Sequence, residues 1–181
     1  MRAQRPVAHD ARRPAGWERR LADELIDAGV DVAALVPDKR LDPVIERLRA
    51  RGLLLRSLTQ EEECVAYCAG QLLAGGRPVV LMQSSGLGNA LNALGSLVLP
   101  YNLGIPLIIS MRGTLGERNR SQVPMGRATP ALLAALGIQA FSVTHPDQVG
   151  HVARSVVAMA SAGITTAILL GQELEGRDEH P

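Results

Sequence analysis

The chain has 181 residues, 46% of them hydrophobic and 20% charged, which supports one sizeable core and excludes wholesale disorder. Nineteen Lys and Arg against eighteen Asp and Glu leave a net charge of +1, so no basic face for nucleic acid or an anionic membrane is expected. Aromatics at 2% exclude a stacking platform for bases, and the core must be aliphatic.

The first fifteen residues carry basic side chains with no apolar stretch behind them, so no secretory signal is expected and the chain reads as cytoplasmic. Residues 1–15 and 172–181 are polar, charged and Pro-bearing, which predicts a flexible arm and tail around a domain over residues 16–171. Within that domain, β-branched apolar runs recur at Val32–Val36, Leu53–Leu58, Val79–Gln83, Leu107–Met111, Ala140–Thr144 and Thr165–Leu170. They are continuous rather than alternating, as strands buried on both faces are. Helical periodicity occupies Trp17–Ala28, Asp42–Ala50, Glu61–Ala74, Asn89–Leu99, Pro130–Leu136 and Pro146–Ala162. Such alternation means βαβ crossovers, so the fold class is α/β: a six-stranded parallel sheet sandwiched between helices. Ligands of such sheets sit beyond the carboxyl ends of the strands. No apolar run reaches the roughly 18–20 residues of a membrane span.

The polar, Gly-rich stretches all follow strands. After the second strand, Thr59 and Glu62 have the spacing of a capping box, and three glutamates in a first turn suit the helix dipole. Glu61, which that box does not use, lies just past a buried strand, where a desolvated carboxylate can hold or share a proton. Cys64 and Cys68, one turn apart, read as small buried apolar residues rather than metal ligands, and no metal site is expected on this chain. After the third strand, Gln83-Ser84-Ser85-Gly86-Leu87-Gly88-Asn89 leaves bare backbone amides at a helix start, with Ser84 or Ser85 as a cap. It is neither a dinucleotide fingerprint nor a nucleophile elbow; it is a tight turn or a ligand cradle. Ala90, Ala93 and Gly95 beyond it permit close packing, within a crowded core or against another subunit. Arg112 to Pro130 reads as a long loop. Its Arg112, Arg118, Arg120 and Arg127 are either solvated surface charge or forks for an anion.

These segments in this order resemble the pyrimidine-binding domain of thiamine diphosphate enzymes, and more narrowly the alpha subunits of the sulfopyruvate and phosphonopyruvate decarboxylase group. The matching residues are Val36-Pro37-Asp38-Lys39, Thr59 to Glu63, Met82 to Asn89, Ile105-Pro106-Leu107, Arg112-Gly113-Thr114 with Gly116-Glu117, and Gln122 to Gly126. The resemblance spans about residues 16–170, and Gln122 to Gly126 followed by Ala128-Thr129-Pro130 leans towards sulfopyruvate. It implies that Glu61 is the catalytic glutamate, hydrogen-bonded to N1′ of the cofactor's aminopyrimidine ring. It also implies cofactor contacts from Gln83, Ser84, Gly86, Gly88 and Asn89, and substrate contacts from Lys39, Arg112 and Gln122. The substrate is expected to be a small anionic 2-oxo acid. The family's Gly-Asp-Gly motif with paired asparagines, which holds diphosphate and magnesium, is absent from this sequence. Thiamine diphosphate and Mg2+ are therefore expected to be completed by a beta subunit, with self-association as well. A rival expectation is a non-catalytic α/β module holding a nucleotide or phosphate in the Gly86–Asn89 turn.

Overall fold

The computed structural model describes residues 16–114 and 117–175. The arm at 1–15, the tail beyond 175 and Gly116 lie outside the described residues. Among the described residues six α-helices alternate with six strands: α1 (Gly16–Asp27), β1 (Val32–Leu35), α2 (Asp42–Ala50), β2 (Leu54–Ser57), α3 (Glu61–Leu73), β3 (Pro78–Gln83), α4 (Leu87–Ala93), β4 (Leu107–Ser110), α5 (Val123–Ala135), β5 (Gln139–Val143), α6 (Gln148–Ser161) and β6 (Thr166–Leu170). The strands form one wholly parallel sheet in the order β2-β1-β3-β4-β6-β5. Chain order reverses between β1 and β3, the position where open α/β sheets open a crevice.

Each central strand hides a period of two inside its apolar run. Ala33, Leu35, Val79, Leu81, Ile108 and Ile168 face a core built with α1, α2 and α6. Their neighbours Ala34, Val80, Met82, Leu107, Ile109 and Leu169 face a second core with α3, α4 and α5. Burying one such aliphatic side chain contributes about 1.5–3 kcal/mol, so the two layers dominate the fold's stability.

Three expectations need correction. Strands β2 and β5 are not buried on both faces, because each is an edge with one neighbour; Leu54 on β2 is 52% exposed. Of the described residues in 112–130, only those before Arg120 are loop. A 3-10 turn at Arg120–Gln122 runs into α5, which begins at Val123 and carries Pro130 inside it. Pro124 fits that first turn, where its missing N–H costs nothing, whereas Pro130 misleadingly resembled a helix start. Lastly, the ordered body passes the expected boundary at 171: Gln172–Glu175 form a 3-10 turn and Leu174 is buried in the first core.

Candidate functional site

Helix α3 starts where β2 ends, and its first residue, Glu61, is only 8% exposed. Two neighbours hold the carboxylate. The Asn89 side-chain amide, from the first turn of α4, donates to Glu61 Oε2 at 3.1 Å. The Cα of Gly86 abuts the other side: a Cβ there would stand 2.5 Å from Glu61 Cγ, and nearer still to Cδ and Oε1. Gly86 has an ordinary negative φ of −79°, so the space, not the backbone angle, demands glycine. The turn is thus a cradle for this carboxylate, formed by packing α3 against α4.

The next acids behave differently. Glu62 is exposed. Glu63 accepts hydrogen bonds from Thr59 N (3.0 Å), Thr59 Oγ (2.7 Å) and Gln60 N (3.1 Å). The capping box therefore uses Glu63, not Glu62, because the helix starts one residue later than a Thr59 cap would place it. Those bonds, led by the Thr59 hydroxyl, hold the Glu63 carboxyl below the usual range. A group with a lowered folded pKa stabilises above its unfolded value, and the contribution is lost as pH falls. Glu63→Gln should thus slightly lower the melting temperature at pH 7. That difference should shrink as pH falls through the lowered folded pKa; thermal melts at pH 7 and at progressively lower pH check it.

Neither serine caps α4. Ser84, fully buried, accepts from Arg112 N at 3.1 Å, and its carbonyl accepts from the Thr129 hydroxyl at 3.3 Å. Ser85 Oγ donates to Gln83 Oε1 at 2.6 Å, while Gln83 Nε2 donates to Asp38 at 3.1 Å, so both ends of that amide are engaged. Gly88 is exposed beside Glu61's helix pair, with Met125 Cε 3.1 Å from where a Cβ would be. Ala90 is buried in the second core, and the half-buried Gly95 lies against Leu136.

Arg112 is not a free fork. Its Nε and Nη2 reach the Glu117 carboxylate at 3.0 and 3.3 Å. Glu117 also accepts from Asn119 N, Gly113 N and Gln172 Nε2. The Asn119 amide, then Gly113 and Arg112, draw the Glu117 carboxyl down to about 2 despite its burial. Gly126 lets α5 close on this loop, since a Cβ there would collide with the Arg112 carbonyl. Lys39, Arg118, Arg120 and Arg127 are exposed, and Gln122 is half-buried at the start of α5. Cys64 and Cys68 are buried free thiols pushed up to about 12 by burial, and so poor nucleophiles.

Sequence reasoning assigned no role to Asp38, Ser110 or Glu117. Each left a signal: an acid and a hydroxyl closing apolar strands, and one acid among arginines. Two surface clefts lie elsewhere and include none of the residues around Glu61. One, of about 420 Å³, lies between α5 and β5; the other, of about 360 Å³, lies between α2 and β2. No helix among the described residues is long and apolar enough to cross a membrane.

Comparison with known proteins gives the following. The family model described as thiamine pyrophosphate enzyme, N-terminal TPP binding domain, matches residues 17–129. Over 125 residues the chain is 42% identical to the sulfopyruvate decarboxylase subunit alpha of Methanococcus maripaludis, covering 68% of this chain and 75% of that protein. It is 39% identical over 107 residues to the phosphonopyruvate decarboxylase of Streptomyces hygroscopicus, covering 58% of this chain but 27% of that one. Among solved structures, a 2-oxoglutarate:ferredoxin oxidoreductase from Magnetococcus marinus superimposes with a TM-score of 0.61 at 12% identity. That match covers 88% of this chain and 29% of the other, and it speaks for the fold alone.

Proposed function

The chain belongs to the thiamine pyrophosphate enzyme family through its N-terminal TPP binding domain, and on that premise we propose that it is the alpha subunit of a thiamine diphosphate-dependent sulfopyruvate decarboxylase. The reaction converts sulfopyruvate to sulfoacetaldehyde and carbon dioxide. Phosphonopyruvate is the second reading, favoured by the 39% identity to a phosphonopyruvate decarboxylase. One observation carries the proposal: a buried glutamate at a helix start, steadied by Asn89 and enclosed by a glycine that admits no side chain.

The bound cofactor supplies the electron sink for loss of carbon dioxide from a 2-oxo acid. This chain's part is proton control and position. Glu61 would meet N1′ of the aminopyrimidine and hold or share a proton there, with Asn89 keeping its carboxylate from rotating away. Gly86 yields its Cβ space to the Glu61 side chain, and the exposed Gly88 would let the ring approach the backbone, with Gln83 and Ser84 setting the shape of that turn. Lys39 and Arg112, both after strand ends, read the substrate's second negative charge, with Gln122, whose carbonyl lies close to Gly113, as a further contact. Arg112 does so from an orientation that Glu117 fixes. Diphosphate and Mg2+ are held by a beta subunit, and the active site lies at the boundary of the two chains. A cytoplasmic location and further self-association belong to the same reading.

The test is an assay of the chain alone and of the pair that co-purifies with it. Thiamine-dependent release of carbon dioxide from sulfopyruvate is expected from the pair and negligible release from the chain alone. Robust turnover by the partner-free chain would sink the two-subunit reading. In the same assay, Lys39→Met and Arg112→Met should cost sulfopyruvate about tenfold to a hundredfold in kcat/KM, each having lost a charge-assisted contact, and pyruvate far less. Equal losses for both substrates would mean that these cations do not read the second charge.

A further inference from the structure

Asp38 is a buried carboxylate that the reading above leaves without a task. It lies just past β1 and is 8% exposed. Its Oδ1 accepts from Gln83 Nε2 at 3.1 Å, and its Oδ2 accepts from the Ser110 hydroxyl. Gln83 closes β3 and Ser110 closes β4, so three adjacent strands are joined at their carboxyl ends, across the point where chain order reverses. From Gln83 the contacts continue: its Oε1 takes the Ser85 hydroxyl at 2.6 Å, and Ser85 precedes the Gly86 that abuts Glu61.

The choice of an acid here has a physical consequence. Burying a charge among neutral donors is costly, and an amide would be cheaper to desolvate. An ionised carboxylate, however, only accepts, so Gln83 must present its NH2 and Ser110 its hydroxyl proton. With Nε2 committed, Oε1 must face Ser85. Polarity at one buried atom pair thus sets the direction of every bond as far as the Gly86 turn.

We propose that Asp38 is a positioning residue of the active site: an acceptor-only group that orients the Gln83 amide and, through Ser85, holds the Gly86 turn against the Glu61 carboxylate. The proposal rests on the decarboxylase reading, and Asp38 itself touches neither cofactor nor substrate in it.

Bond direction gives the test. Gln83→Glu sets two carboxylates face to face, and Asp38→Asn brings a second NH2 to a site that needs acceptors. Combining them reverses one bond and keeps the rest. The amide introduced at 38 donates to the carboxylate introduced at 83, which still accepts from Ser85, while the new amide oxygen accepts from Ser110. In the co-purified pair, each single variant should lose about tenfold to a hundredfold in kcat with KM little changed, and the double variant should recover most of it. Hydrogen exchange on the full chain supplies a readout without turnover. Amides 84–89 should exchange about tenfold or more faster in the single variants, revert in the double variant, and leave α1 and α6 unaffected. A double variant no better than the worse single one, or wild-type exchange in both singles, would overturn the proposal. If the wild-type pair showed no thiamine-dependent turnover, the decarboxylase reading would fall, and the exchange pattern alone would decide the role of Asp38.

Discussion

Glu61→Gln is expected to lower turnover of the assembled enzyme by about 10²–10⁴-fold, the range for removing a positioned acid–base group. The substitution is nearly isosteric and keeps an oxygen for the Asn89 amide, so fold and assembly should survive. What it removes is the ability to hold a proton opposite N1′. Glu62→Gln, on an exposed side chain, should leave turnover unchanged, and Glu63→Gln should act on melting temperature alone. Steady-state rates of the three variants at matched assembly provide the check. If position 62 or 63 were the sensitive one, the register assigned to this helix would be wrong.

The second large effect is expected from Gly86→Ala. At φ −79° alanine's backbone is comfortable, so no backbone strain enters. The added methyl would nevertheless lie inside the Glu61 side chain, which must swing out or push α4 away. Overpacking of this kind costs about 1–3 kcal/mol, and displacing the carboxylate should cost about 10²-fold or more in turnover. Shortening the partner separates the two costs. Gly86→Ala with Glu61→Asp should regain much of the lost stability, because the retracted carboxylate leaves room for the methyl. It should not regain activity, because the carboxylate no longer reaches its place. A melting temperature of the double variant equal to the sum of the two single losses would show that the residues do not touch.

Much of the architecture was legible because each central strand is enclosed by helices on both sides. Burial on both faces removes the alternation that an exposed face would impose, and the remaining β-branched runs, such as Pro78–Gln83, stand out against amphipathic helices. Strands β2 and β5 were found by the same composition, yet their exposure was not foreseen. Edge or centre depends on strand order, which no local run encodes. The start of α5 was hidden for a different reason. Its first turns, Val-Pro-Met-Gly-Arg, are shaped by contact with the Arg112 loop rather than by propensity, and Gly126 is a poor helix former kept for that contact.

The sequence by itself determined the α/β class and the placement of polar turns after strands, and it drew attention to Glu61 by its place just past a strand. All of these rest on interactions between residues close in the chain or on burial written into composition. Only the tertiary structure decided what surrounds each polar group. It moved the cap from Glu62 to Glu63, tied Arg112 to Glu117, and joined Asp38 to Gln83 and Ser110 across 45 and 72 residues of chain. Most buried polar atoms find a partner, but which partner depends on what the fold brings within about 3 Å of them. That distance is set by the packing of two helix layers on a twisted sheet, and neighbours in sequence carry no record of it.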